Sequence, residues 1–127
     1  MRTTRIVYWI TTILFTLLIL FSGFATLTSQ EMKVTYQHLG FNADVFRVEI
    51  ALAKIIGAIL LILPLIKGRL KEWVYAGFTI ILISASLAHY GAGDPVANII
   101  VPLLFAIVLL ASYFTYRKLN SSALAKA

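Results

Sequence analysis

The sequence predicts an all-α integral membrane protein, a four-helix up-down-up-down bundle with both termini in the cytoplasm. Three observations predict it. Hydrophobic residues make up 61% of the 127 residues and charged residues only 13%, with a mean hydropathy of +0.93, which is more apolar surface than a soluble domain of this size could bury. Four apolar stretches, approximately residues 6–26, 46–66, 72–90 and 96–116, each match the ~20 residues that a helix needs to cross a ~30 Å hydrocarbon core. Their flanks hold Arg2, Arg5, Lys67, Arg69, Lys71, Arg117, Lys118 and Lys126 on one side against Lys33 and Arg47 on the other, and the side richer in Lys and Arg is the cytoplasmic one. Residues 1–127 are thus expected to form a single transmembrane domain.

The first stretch shares features with a secretory signal, because Arg2 and Arg5 precede it and Gly23, Phe24 and Ala25 loosely resemble a small-x-small cleavage site. Its length, with Tyr8 and Trp9 as interface anchors, favours a retained helix. Residues 27–45 mix Thr28, Ser29, Gln30, Glu31 and Lys33 with Tyr36, His38, Phe41 and Asp44. They read as a long outer loop with room for an interfacial turn of helix, and loops of that length are often functional. The joint from Lys67 to Lys71 makes the second and third helices antiparallel neighbours, and Gly91 to Pro95 does the same for the third and fourth. Pro95 suits the first turn of the fourth helix, with Asp94 as its N-cap, while Pro64 and Pro102 lie inside apolar runs where neighbouring helices can compensate a kink. A cytoplasmic tail is expected over 117–127.

Polar and small residues recur on one face of each helix: Tyr8, Thr12, Phe15, Ile19, Ser22 and Thr26; Arg47, Ala51, Lys54, Ala58 and Leu61; Glu72, Tyr75, Thr79, Leu82, Ser86 and His89; Asn98, Pro102, Phe105, Leu109, Ser112 and Tyr116. Polar atoms facing lipid are costly, so these seams should face one another. Lys54 is the anomaly among them. A lone ammonium at that depth costs on the order of 3 kcal/mol unless something solvates it, and such a residue marks a functional site by default. It lies about 12 Å below the outer start of its helix, twice the ~6 Å that a lysine side chain reaches, so snorkelling alone does not bring it to water. Ser86, His89, Glu49, Ser22 and Asn98 fall at its level or above it. The expected site is a polar cavity opening outward, with these five residues around it and Lys54 at its floor. Glu72, Trp73, Tyr75, Gly57 and Gly77 are expected to serve packing, and Arg47 beside Asp44 to anchor the helix at the interface.

Other chemistries find little support. The absence of cysteine removes disulfides, thiol relays and iron–sulfur clusters. Only His38 and His89 could bind metal or haem as imidazoles, and neither sits in a ligand pattern, so no metal site is expected. Ser, His and Asp lack a nucleophile-elbow context, and no catalytic residue is assigned. The net charge of +6 is explained by topology and anionic lipid, without nucleic acid.

Trp9; Phe21, Ser22, Gly23, Phe24; Leu39, Gly40, Phe41; Ala53 to Ala58; Lys71 to Phe78; and His89 together resemble the DoxX-like family of small four-helix membrane proteins. The resemblance runs nearly end to end, and Leu70 to Phe78 is its most specific part. It implies the same bundle and gives weight to Lys54, Glu72 and His89. It also implies two function classes, because members of the wider superfamily are linked to membrane oxidoreductase assemblies, including a thiosulfate:quinone oxidoreductase, and to assembly of acetylcholine receptors. The expectation is a membrane protein, located in a bacterial inner (plasma) membrane, that binds a quinone or other lipid-like molecule as an accessory subunit without a covalent cofactor. The alternative is an assembly factor that docks other transmembrane helices. A membrane protein partner or a second copy of the chain is expected beside the lipid bilayer.

Overall fold

The computed structural model describes residues 2–126, and side chains over residues 2–121. Among these the chain is all helix, with no strand: α1 (Arg2–Thr28), α2 (Gln30–His38), α3 (Asp44–Ile62), α4 (Arg69–Gly91) and α5 (Val96–Lys126). α1, α4 and the Val96–Ser121 part of α5 are long and apolar enough to cross a membrane. α3 has 19 residues but carries Asp44, Arg47, Glu49 and Lys54. α1 packs on α3 and α5, and α4 on α5, while α3 and α4 touch far less than these pairs.

Three expected boundaries are corrected. The outer loop at 27–45 is largely helix α2, joined to α1 through Ser29 alone. Its apolar stripe is brief, Met32, Tyr36 and Leu39, and end effects help to hold the helix. Glu31 lies in its first turn and His38 in its last, both matched to the helix dipole. Gly40, at φ +98°, closes it in a Schellman motif through Gly40 N–H to Gln37 O and Phe41 N–H to Tyr36 O. The apolar contact that accompanies this motif is the Tyr36–Phe41 ring pair, 5.8 Å between centroids. The second predicted span does not run through Pro64: α3 ends at Ile62 and Leu63 is extended, at φ −71° and ψ 122°, as the residue before a proline prefers. Finally, the tail predicted from 117 continues α5 as helix to Lys126; residue 127 and the side chains beyond 121 lie outside the described part.

The predicted seams are mostly buried or half-buried, with Asn98 at the start of α5 exposed. Phe15, Ile19, Ala58, Leu61, Tyr75, Phe78, Leu82 and Leu109 form the core, with Phe15 edge-on to Phe78 at 5.1 Å. A polar thread runs beside it, where Ser112 Oγ hydrogen-bonds with Thr12 Oγ1 at 2.6 Å and with Tyr75 Oη at 2.7 Å. The outer surface is apolar: Phe21 is 77% exposed, Trp73 69% and Ile80 65%. That is the inverse of a soluble protein and matches lipid as solvent.

Of the two glycines expected to serve packing, one does. A Cβ on Gly57 would meet the Phe78 ring at 2.8 Å, and one on Gly77 would meet nothing within 4 Å. Because Phe78 is only 2% exposed, its ring has nowhere to move. Gly57→Leu is expected to destabilise by roughly 1–3 kcal/mol, whereas Gly77→Ala should be neutral or slightly stabilising through its unfolded state; thermal melts of the two variants in the same detergent check the pair. Gly23 makes a second close approach, with its virtual Cβ 2.9 Å from Ile55 Cγ1 and 3.4 Å from Ala51 O. In the sequence Gly23 stands in a cleavage-site pattern and in the family resemblance, and neither indicates this packing.

Candidate functional site

Away from the chain termini, α3 and α4 diverge. The contacts that join them, Gly57 on Phe78 and the Lys71 ammonium on Leu61 O, lie toward the end where the termini sit. At the other end the gap becomes a cavity of about 710 Å³, within the ~300–1,000 Å³ usual for small-molecule sites. All five helices contribute. Ile19 and Ser22 come from α1, Ile50 and Lys54 from α3, Ile81, Ala85 and His89 from α4, and Asn98, Pro102 and Phe105 from α5. α2 and its closing turn cover the remaining side through Met32, Thr35, Tyr36, Leu39 and Phe41.

This geometry corrects the expected cavity in two ways. The lining is mainly apolar rather than polar. In addition, α2 roofs the side on which an outward opening is expected, because a segment read as loop is a helix lying over the helix ends. Ile80 and Ser84 of α4, both exposed, belong to the rim, so the open side faces laterally, toward lipid.

Lys54 stands at the polar corner and donates from Nζ to Ser22 Oγ at 3.0 Å. His89 and Asn98 line the same space. Ser86 and Glu49 do not. Ser86 is buried and donates to Ile99 O at 2.9 Å, beside the turn of α5 that Pro102 deprives of an amide donor. Glu49 is exposed and forms no ion pair among the described residues, because it sits about 140° around α3 from Lys54. Among the packing residues, Tyr75 is buried, Trp73 faces outward, and Glu72 lies 3.7 Å from Arg117.

Sequence reading missed a link at the cavity mouth. Gly93, at φ +75°, ends α4 in a second Schellman motif, through Gly93 N–H to Tyr90 O and Asp94 N–H to His89 O. The motif folds Asp94 back over His89. His89 donates from Nδ1 to Asp94 Oδ2 at 2.6 Å, and His38 of α2 donates from Nε2 to Asp94 Oδ1 at 2.7 Å. Asp94 therefore ties the roof to the α4–α5 joint instead of capping α5 as expected. The Gly91-Ala-Gly-Asp-Pro95 string carried a turn signal, but nothing in it indicated a partner 56 residues away.

The hydrogen bond from His89, then that from His38, holds the Asp94 carboxyl below its usual range. A carboxyl depressed on folding contributes stability above its unfolded value, about 3.9, and loses it as pH falls through the folded value. Hydrogen-exchange protection of the α2 amides is thus expected to stay level from neutral pH to about pH 4 and drop below it. His38→Ala should lower that protection at every pH.

Arg47 is buried as its place on the α3 seam predicts, with more contacts than an interface anchor needs, and Lys71 is buried although its sequence reads as a joint charge. Arg47 is 8% exposed and Lys71 is 3% exposed. Arg47 pairs with both Asp44 oxygens, Nε to Oδ1 at 2.8 Å and Nη2 to Oδ2 at 3.0 Å, and donates from Nη1 to Thr26 O at 2.6 Å and Leu27 O at 3.0 Å. Lys71 donates to Tyr8 Oη and to Leu61 O, with the Tyr8 and Tyr116 rings each 5.2 Å from Nζ.

No group of His, Cys, Asp or Glu among the described residues has the arrangement of a metal site. The profile of the DoxX-like family matches residues 10–112, a span that includes the whole cavity lining and its roof. No curated protein and no solved structure matches the chain.

Proposed function

The chain belongs to the DoxX-like family, and from that premise we propose that it is a membrane-embedded binding subunit whose cavity takes the polar head of a lipophilic molecule, a quinone being the leading candidate. In this reading α1, α3, α4 and α5 cross the bilayer up-down-up-down, both termini face the cytoplasm, and α2 lies at the outer surface. The Lys and Arg distribution supports that orientation. The charges on α3 are compatible with a crossing, since Arg47 is paired and Lys54 turns inward. The membrane is a bacterial inner membrane, and the accessory role is to present the molecule to a redox partner that supplies electrons, because a chain without cysteine brings no thiol couple of its own.

One observation carries the proposal: an ammonium group with a single hydrogen-bond partner among the described residues, Ser22 Oγ, at the polar corner of an apolar cavity of about 710 Å³. A ligand carbonyl at Lys54 would receive a charge-assisted hydrogen bond, worth about 1.5–3 kcal/mol. Lys54→Met is therefore expected to weaken binding of a soluble quinone analogue by roughly tenfold or more, read by titrating intrinsic tryptophan fluorescence. Unchanged affinity would remove Lys54 from the site.

The docking alternative draws on Gly57, Ala58, Gly77, Trp73, Tyr75 and Phe78. Ala58, Tyr75 and Phe78 are buried within the chain and Gly57 is closed off by Phe78, which leaves Trp73 and Gly77 for a partner. Ligand binding is the better supported reading.

A further inference from the structure

Three basic side chains enter the space between the helices, and the chain accommodates two of them in the same way. Arg47 reaches the carbonyls of Thr26 and Leu27 at the C-terminal end of α1. Lys71 reaches the carbonyl of Leu61 at the C-terminal end of α3. Helix C-termini present unpaired carbonyls and partial negative charge, so a cation there is satisfied twice over. Each has further partners, the Asp44 carboxylate for Arg47 and the Tyr8 hydroxyl with two ring faces for Lys71. Both cations are fully employed in holding the helices together.

Lys54 is not. It lies in the middle of α3, away from any helix end, and its only hydrogen-bond partner among the described residues is one serine hydroxyl. An ammonium has three donors, so two of them have no acceptor among the described residues. No carboxylate among the described residues lies within 4.0 Å of it. It also borders the apolar cavity whose open side faces lipid, the setting in which an uncompensated charge is most costly.

We infer that the ligand of this cavity is an anionic amphiphile: a single-chain carboxylate whose head pairs with Lys54 and whose hydrocarbon tail fills the apolar part and leaves between α3 and α4. This rests on the reading of the cavity as a site for the head of a lipophilic molecule, and it puts a carboxylate in place of the neutral quinone and of the redox role that a quinone would bring. One carboxylate supplies the missing charge and two acceptor oxygens, matching the two free donors. A neutral head supplies acceptors without charge. The tail can remain in lipid while the head is bound, so the molecule enters from the bilayer rather than past the α2 roof.

The test uses the full chain in nanodiscs of zwitterionic lipid carrying a bound fluorescent fatty acid, displaced in turn by palmitate, methyl palmitate and decylubiquinone. Palmitate is expected to displace at least about tenfold more effectively than its methyl ester, and the preference should vanish in Lys54→Met and persist in Lys54→Arg. Equal displacement by acid and ester, or a preference that survives in Lys54→Met, overturns the anionic head. If the ester and the quinone compete as well as the acid, and all three weaken in the cavity-filling variant Ala85→Phe, the cavity reading stands and only the charge assignment fails. If the probe does not bind, the carboxylate fails and the tryptophan-fluorescence titration with the quinone analogue decides the cavity reading; if Ala85→Phe leaves all three unaffected, both fail. The acid-to-ester comparison on the unmodified chain needs no variant to fold.

Discussion

Arg47→Ala is expected to be among the most damaging single substitutions in the chain, lowering stability by about 2–4 kcal/mol. Arg47 makes four hydrogen bonds from a side chain that is 8% exposed. Two of them satisfy carbonyls of the last turn of α1, at the point where the chain turns into α2 through Ser29. Truncation leaves the Thr26 carbonyl, in a buried residue, without that donor, removes a cation from a helix C-terminus and frees Asp44 from its bidentate partner. Asp44 itself is half exposed, so its loss of pairing contributes little and the carbonyls dominate. Arg47→Lys keeps the charge but not the planar fork that reaches Asp44 and α1 together, and should recover less than half of the loss. Asp44→Asn should cost well under 1 kcal/mol by the same reasoning. Thermal unfolding in detergent ranks the three variants. A ranking in which Asp44→Asn matches Arg47→Ala would show that the ion pair, not the helix cap, is the stabilising contact. Because α2 is hung from this point, Arg47→Ala should also speed amide exchange across the cavity roof.

The parts of the fold that were legible in the sequence are those written in periodicity. Tyr8, Thr12, Phe15, Ile19 and Thr26 all fall on the buried face of α1, and Tyr75, Leu82 and Ser86 on that of α4. A seam of this kind survives in sequence because spacing of three and four residues maps directly onto one side of a helix. Lys54 and Ser22 could be paired for the same reason, since counting residues from the helix starts gives depth. What was not legible depends on which way a chain turns after a helix ends. α2 is short and polar, with a stripe of only Met32, Tyr36 and Leu39, and Gly40 and the packing of Tyr36 on Phe41 add to its stability. Glu49 and Ser86 have the correct depth but the wrong azimuth, a distinction that depth alone does not resolve. Asp94 sits in a recognisable turn, yet its bond to His38 depends on where α2 lies. Lys71 reads as one more positive charge in a basic joint, because nothing before it announces that α4 begins two residues earlier, at Arg69.

Lys71 carries the second large effect. Lys71→Ala is expected to lower stability by about 2–4 kcal/mol, because it leaves the Leu61 carbonyl and the Tyr8 hydroxyl without their donor and opens a void between the Tyr8 and Tyr116 rings, whose centroids are 6.2 Å apart. Burying a lysine is unfavourable in itself, so an apolar replacement of equal length is the informative comparison. Lys71→Met fills the same space without the charge. If packing dominates, it should restore nearly all of the stability lost in the alanine variant. If the cap on α3 dominates, it should restore no more than about half, because the Leu61 carbonyl stays unpaired in both. The structure favours the cap. α3 stops at Ile62 and Leu63 is already extended, so the last carbonyls of α3 have few amides to receive. Tyr8→Phe keeps the ring beside Nζ and removes only the hydroxyl, and should cost about 1 kcal/mol. Lys71 thus joins α1, α3, α4 and α5 at one ammonium group. Its loss should also loosen the Gly57–Phe78 contact nearby, which is where α3 and α4 begin to part around the cavity.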